Sequence, residues 1–416
     1  MIILSLDALG GEDFKYLKTL PTFAEFLEEA AVCTNVRTIY PSVTYPCHAT
    51  IVTGKYPKHH GVINNTLVQP NRPAPDWFWQ RKYIKAETLF DLAIKKGMKV
   101  GAFLWPVTAN SKIQYNIPEI FPNRWWDNQV LVSLRSGSPQ FILELHKKFA
   151  HLLDGIKQPA LDDFVTASVV HTIKTKAPEL LLVHLTDLDT MRHQYGVHSK
   201  EAYQAIDRLG TRFLAITQAL KEASLYSETA IILLGDHTQI DVKREVNLGQ
   251  VLLEKGYLTV KNHKLRSWRI LAKSCGGSAY IYVQPGFHQE AEKLLQQLKN
   301  DPAYGIERIF TNEEVIAAGA DPNCYCMVEA VSGVVFADTW TKGVKEKVKK
   351  ADHGYQPDKP QYRTFFASLG PGIKKQVKIE EMSLTDIAPT LAELMDLDLQ
   401  NPDGRVLTEI KEDTHA

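Results

Sequence analysis

The sequence predicts an α/β fold with a mostly parallel central sheet flanked by helices and a smaller α+β insertion. Short, nearly continuous apolar runs at 2–6, 180–185 and 230–234 have the composition of strands buried on both faces, as parallel strands are. Amphipathic stretches at 161–174 and 200–224 lie between or beside them and supply the covering layers. With 416 residues and 44% hydrophobic content, the chain has enough apolar surface for one large domain carrying an insertion.

The first run ends at Asp7 and Gly10-Gly11. Ligands in open α/β sheets bind beyond the carboxyl ends of strands, although an aspartate so placed is by position alone an ordinary turn residue. A helix over 22–31 and a strand over 31–39 then deliver the segment YPSVTYPCHATIVTGKYPKHHG, residues 40–61. Thr44 stands at the mouth of a helix that begins with Tyr45 and Pro46 and stops at Gly54, because proline suits a first turn and glycine a C-terminal stop. Its hydroxyl faces backbone N–H groups that have no helical partner, a place suited to an anion. Its ordinary role there is an N-cap. His48, His59 and His60 are read as packing or hydrogen-bonding near the site and not as ligands. Asn64 and Asn65 follow a turn.

A proline-rich loop at 70–75 leads to Trp77, Phe78 and Trp79, an aromatic cluster read as lid or core packing, with Trp77 and Trp79 placed to cap a substrate pocket. A helix over 87–96 stops at Gly97, and a strand over 99–105 ends at Pro106. Residues 109–128, with Trp125-Trp126, show no period and read as a rim loop. Helices follow over 139–153 and 161–174, then the strand 180–185. Beyond it, Asp189 and His193 lie four apart, so on a helical turn both face one ion; Asp187 lacks that geometry. The strand 230–234 ends in Gly235-Asp236-His237.

From about 247 to 350 the character changes. Strand-like runs at 279–283 and 326–335 alternate with helices over 247–255, 288–298 and 311–318, the last opened by a Thr311/Glu314 capping box. The division expected is a core of 1–246 and 351–416 with a cap of 247–350. The basic run 342–350 reads as solvated surface. His353 precedes Gly354, a last strand occupies 362–369, and a helix over 383–395 packs outside.

Charge and cysteine content exclude several classes. Forty-eight basic residues balance 48 acidic ones, which leaves no field for non-specific nucleic-acid binding. Five cysteines with no C-x-x-C pair read as a reduced compartment. The start MIILSLDALGG lacks a basic leader, and no window offers 18 apolar residues for a membrane span. The expectation is therefore a soluble, cytoplasmic protein, or an exported one if the chain has been trimmed.

Asp7, the Thr44-Tyr45-Pro46-x-His48 segment, IVTGKYPKHHGVINN, Asp189-x-x-x-His193, Gly235-Asp236-His237 and His353-Gly354-Tyr355 occur in the order found in one family. On these motifs the chain resembles the nucleotide pyrophosphatase/phosphodiesterase branch of the alkaline phosphatase superfamily, and the resemblance spans nearly the whole catalytic core. It implies an alkaline-phosphatase-like fold. It also implies two divalent metal ions of the zinc class, one held by Asp7, Thr44, Asp236 and His237, the other by Asp189, His193 and His353. Thr44 is then the nucleophile, Asn65 donates to a phosphoryl oxygen, and a phosphothreonine intermediate is hydrolysed by water. The substrate implied is a small phosphodiester or phosphoanhydride, with nucleotides the first expectation.

The chain departs from the family pattern twice. Arg192 occupies the glycine position of D-x-x-G-H-x-x-G and is expected to bring a cation near the substrate, while Thr238 replaces a glycine and is expected to narrow the adjoining loop. His184 and His198 lie off the motif and read as structural. Phosphonoacetate hydrolases and phosphomonoesterases of the same superfamily share these ligands and remain alternatives. A sulfatase is disfavoured because Cys47 is followed by His48-Ala49 and not by C-x-P-x-R. A non-catalytic metal-binding protein is disfavoured because every expected ligand position is filled.

Overall fold

Alternation along the buried strands decides how the layers assemble. Ile2, Leu4 and Leu6 pack with Leu181, Val183, Ile231 and Leu233 on one face, while Ile3 joins Leu180, Leu182, Ile232 and Leu234 on the other. This is the two-residue period of a strand covered on both sides. The structure, a computed structural model, describes residues 1–72, 74–261, 264–340 and 349–412. Most of the basic run 342–350, namely residues 342–348, lies outside the described residues.

Among the described residues the central sheet has eight strands. Their order is Met382–Ser383, Ala31–Arg37, Thr364–Leu369, Ile231–Leu234, Ile2–Leu6, Leu180–Leu185, Val100–Phe103 and Tyr115–Ile117. Neighbours run parallel except for Thr364–Leu369, which is antiparallel to the strand on either side. The helices Pro21–Glu29, Pro139–Phe149, Ala160–Lys176 and Lys200–Glu222 cover one face. Thr44–Thr53, Leu89–Lys95 and Ile387–Leu394 cover the other. No helix among the described residues is long and apolar enough to cross a membrane.

A second, antiparallel sheet has the order Ile270–Ser274, Ser278–Val283, Cys326–Ala330 and Ile306–Thr311. The helix His288–Asn300 buries Ala291, Leu294, Leu295 and Leu298 in its core, which also takes in Val246, Tyr355 and Tyr362 from the flanking chain. Thr311 caps the helix Asn312–Ala317 in a box with Glu314.

Two local expectations are corrected. Within 109–128, Tyr115–Ile117 forms an edge strand parallel to Val100–Phe103, and the helix Gln129–Ser136 follows, its start capped by Asn128, whose side chain accepts from the N–H groups of Val130 and Leu131. Three strand residues are too few to display a period. The run 326–335 is two strands, Cys326–Ala330 and Val334–Ala337, because Gly333 turns between them at φ 87°.

Candidate active site

The carboxyl ends of three adjacent strands bring the expected ligands together. Asp7 follows Ile2–Leu6, its N–H donating to Leu185 O at 2.9 Å, and is 3% exposed. Asp236 and His237 follow Ile231–Leu234 after Gly235, where a Cβ would lie 2.0 Å from Leu9 O; only glycine lets this turn close against the first strand. Asp236 Oδ1 accepts from the Ala8 N–H at 3.2 Å. His237 Nε2 then lies 3.4 Å from Asp7 Oδ1 and 3.2 Å from Asp236 Oδ2.

Thr44 is the first residue of the helix Thr44–Thr53, and Val43, with extended backbone, is its N-cap. The capping role available to Thr44 is therefore not the one it adopts. Its Oγ1 lies 3.2 Å from His237 Nε2, turned toward the ligand cluster. Asn65 Oδ1 accepts from the Tyr45 N–H at 2.9 Å, which fixes the amide and leaves its Nδ2 as the donor end. Asn64 donates instead to Ser274 O at 2.9 Å.

A second cluster stands beside the first. Asp189 and His193 share one side of the helix Asp187–Tyr195, with His193 Nε2 3.3 Å from Asp189 Oδ1. His193 Nδ1 lies 2.7 Å from Ala351 O. The His353 ring stacks on His237 at 4.1 Å and lies 5.2 Å from that of His193. Asp187 is committed elsewhere, to Arg208 at 2.7 Å and Arg212 at 2.8 Å. Among the described residues, Asp7, Asp236 and His237 form one possible metal-holding group and Asp189, His193 and His353 another.

The chemistry of these donors fits cations. Asp7 Oδ1, Asp236 Oδ2, His237 Nδ1 and His353 Nδ1 are buried with no hydrogen-bond partner, a costly arrangement unless something else satisfies the carboxylates. Burial, then the charge of Asp189, pushes the Asp7 carboxyl up to about 7. Burial, then Asp7, pushes Asp236 up to about 7 as well. Burial lowers His237 and His353 to about 4 each, keeping both imidazoles neutral, the form that ligates. Burial raises the Asp189 carboxyl, but His193 and the other site histidines outweigh it and hold it below the usual range. Mixed carboxylate and imidazole donors suit zinc-class ions.

Three further residues support the expected ligands: His48 and His184, read from sequence as hydrogen-bonding and structural residues, and Gln239, which the sequence did not single out. His184 Nε2 lies 3.1 Å from Asp7 Oδ2, and its Nδ1 lies 3.1 Å from Leu104 O and 3.3 Å from Glu119 Oε2. Gln239 Nε2 donates to Asp189 Oδ1 at 2.5 Å. His48 bridges Thr44 O at 2.8 Å and Ser5 Oγ at 2.9 Å. The legible signal is a polar residue interrupting an apolar strand near its carboxyl end: Ser5 and His184 are such residues and stand in register. His59 instead pairs with Asp403 and His60 with Thr50, so of the three histidines expected near the site it is His48 that bonds Thr44.

Arg192 does not face the substrate side. It is 2% exposed, its Nη1 donates to Ala8 O, and its Nη2 donates to Asp13 Oδ1 at 2.6 Å. The cation expected near the substrate is instead consumed in a buried ion pair. Thr238 packs on Gly10, whose added Cβ would lie 2.8 Å from Thr238 Oγ1. Trp77 is half-buried and meets Tyr45 at 5.2 Å and Phe121 at 5.0 Å. Trp79 is buried against Phe121, so Trp77 is the more open of the two tryptophans expected at the substrate.

A family model described as type I phosphodiesterase / nucleotide pyrophosphatase matches residues 1–356. Human ectonucleotide pyrophosphatase/phosphodiesterase family member 1 is 27% identical over 251 residues, 57% of this chain and 23% of that protein. The bovine family member 3 is 26% identical over 252 residues, 57% of this chain and 24% of that protein. The chain thus spans about a quarter of the length of these two relatives. Human family member 5 is 22% identical over 411 residues, 95% of this chain and 74% of that protein. The solved murine member 5 superposes with TM-score 0.69 at 19% identity, covering 97% of each chain. An inactive threonine-to-alanine variant of that murine protein, in complex with AMP, gives TM-score 0.69 at 19% identity over 97% of this chain and 96% of that one. At this identity the likeness is one of fold, and it is alkaline-phosphatase-like.

Proposed function

This chain belongs to the type I phosphodiesterase / nucleotide pyrophosphatase family, and from that premise we propose that it hydrolyses phosphodiester or phosphoanhydride bonds of nucleotide-like substrates through a phosphothreonine on Thr44. The observation that carries the reading is the Thr44 hydroxyl. It caps nothing, lies 3.2 Å from His237 Nε2 and borders two carboxylate oxygens that lack donors. The AMP complex of the murine relative supports nucleotides as the substrate class.

In this reading Thr44 Oγ1 attacks phosphorus at the N-terminus of its helix, whose positive dipole end favours the anionic phosphoryl group; the Tyr45 N–H is taken by Asn65 Oδ1 and Pro46 has none to give. Asn65 Nδ2 donates to an equatorial oxygen and offsets the charge that grows there. His48 holds the Thr44 carbonyl and Asn65 the Tyr45 N–H, so the nucleophile's turn is fixed before substrate arrives. Two divalent ions of the zinc class, held by Asp7, Thr44, Asp236 and His237 and by Asp189, His193 and His353, would acidify the hydroxyl and neutralise phosphoryl charge. Water then attacks the phosphothreonine from the side the leaving group vacated. The face of Trp77 beside Tyr45 is the surface assigned to a nucleobase, with Trp79 packing behind Phe121.

The insertion 247–350 is assigned a bracing role as a unit. The Gly277 N–H donates to His353 O at 2.8 Å, and a Cβ on Gly354 would lie 1.6 Å from Cys275 O, so the second sheet holds His353 in place. The test is turnover of p-nitrophenyl monoesters and diesters, nucleotides and phosphonoacetate after dialysis and zinc refilling. Diesters or nucleotides should be fastest. A monoester or phosphonoacetate turned over faster than all of them would move the protein to another branch of the superfamily.

A further inference from the structure

A buried carboxylate of the second sheet reaches the segments that carry both Thr44 and His353. Glu329, on the strand Cys326–Ala330, is fully buried. Its Oε2 accepts from the Tyr40 hydroxyl at 2.9 Å, and its Oε1 accepts from the Gln356 N–H at 3.0 Å and lies 3.3 Å from Lys359 Nζ. Lys359, itself buried, also donates to Glu307 on the neighbouring strand Ile306–Thr311. Tyr40 precedes Thr44 by four residues, and Gln356 follows His353 by three. One side chain therefore grips the segment that delivers the hydroxyl and the segment that delivers a ligand of the second cluster.

The two segments also touch directly. The Gly354 N–H donates to Ser42 O at 3.1 Å, and Ser42 Oγ donates to Tyr355 O at 2.8 Å. An apolar cluster of equal volume would hold such a junction about as firmly, because desolvating a carboxylate and an ammonium offsets most of their attraction. What directional hydrogen bonds add is a fixed geometry. Geometry decides the rate here, since a misplacement of about 1 Å can cost about 100-fold.

We propose that Glu329 is a positioning residue that sets the Thr44 turn against His353, and with it the hydroxyl against the second ligand cluster. The role rests on the reading that Thr44 attacks a phosphoryl group held beside His353. Glu329 touches neither substrate nor ligand and acts through Tyr40 and Gln356.

The test uses the zinc-supplemented full chain and the substrate that the wild-type protein turns over fastest. Glu329→Leu with Lys359→Leu exchanges the buried pair for apolar side chains, so chemical denaturation should show stability kept or raised. Its kcat should nevertheless fall by about 100-fold, with KM within about twofold of wild type. Zinc affinity, read by competition with a chelating dye, should fall by about tenfold for one of the ions as His353 shifts. Glu329→Gln, which can still accept from Gln356 and donate to Tyr40, should recover most of the lost kcat. Tyr40→Phe deletes one hydroxyl, keeps the ring 5.5 Å from that of Phe310, and should lose about tenfold in kcat. Wild-type kcat in folded Glu329→Leu/Lys359→Leu protein would overturn the proposal; should that protein not fold, wild-type kcat in Tyr40→Phe would do so. Thr44→Asn measured alongside separates two failures. Turnover in Thr44→Asn would refute the reaction assigned to Thr44 and this role with it, whereas an inactive Thr44→Asn beside a fully active pair variant would refute the positioning role alone.

Discussion

Metal binding to the first ligand cluster should expel protons, and the structure sets how many. Asp7 and Asp236 are both held near 7 by burial and by neighbouring carboxylates. Metal-free protein at pH 6 therefore carries roughly 0.9 proton on each, and at pH 8 roughly 0.1. His237 and His353, near 4, are already neutral at both values. Filling this cluster should release about two protons at pH 6 and few at pH 8. Integrated over that interval, the two groups make the apparent affinity about 100-fold weaker at pH 6 than at pH 8. His193 adds to the release at the second cluster, because Asp189 outweighs burial and raises its imidazole. Zinc titration calorimetry in two buffers of different ionisation enthalpy reads proton release directly. Affinity that does not change between pH 6 and 8, with no proton released at pH 6, would refute the reasoning.

Three further outcomes follow from named contacts. Thr44→Asn should fold, bind metal and be nearly inactive, whereas Thr44→Ser should lose activity only in part; close to wild-type diester turnover in purified Thr44→Asn would make water the nucleophile. Arg192→Ala should lower stability by about 3–5 kcal/mol by stranding buried Asp13, with KM unchanged in the surviving folded protein; a large rise in KM at unaltered stability would return Arg192 to the substrate. His60 accepts from the Val62 N–H through Nδ1 and bonds Thr50 through Nε2, and burial lowers it to about 3. Its contribution is fully present above pH 6.5 and is lost as pH falls toward 3, at about 1.4 kcal/mol per pH unit. Chemical denaturation from pH 7 to 4 should show a shallower slope in His60→Gln, and equal slopes in the two proteins would exclude this role.

What could be read from sequence depended on how local the determinant is. Leu180–Leu185 coincides with its predicted span because a run buried on both faces has no other stable reading. Asp189 and His193 meet because four residues make one helical turn. Arg192 was misplaced because its partner, Asp13, is 179 residues away and nothing local signals it. His184 acquires meaning only when strand register sets it beside Ser5 and in reach of Asp7. Tyr115–Ile117 was missed because three residues at a sheet edge are fixed by the partner strand and not by their own pattern.

The central claim, that Thr44 carries the phosphoryl group covalently, has one direct test: the stereochemical course at phosphorus for a diester made chiral with sulfur and an oxygen isotope. Attack by Thr44 followed by attack of water is two in-line displacements, each inverting the centre. The account predicts net retention. Net inversion would mean a single displacement by water and would contradict it.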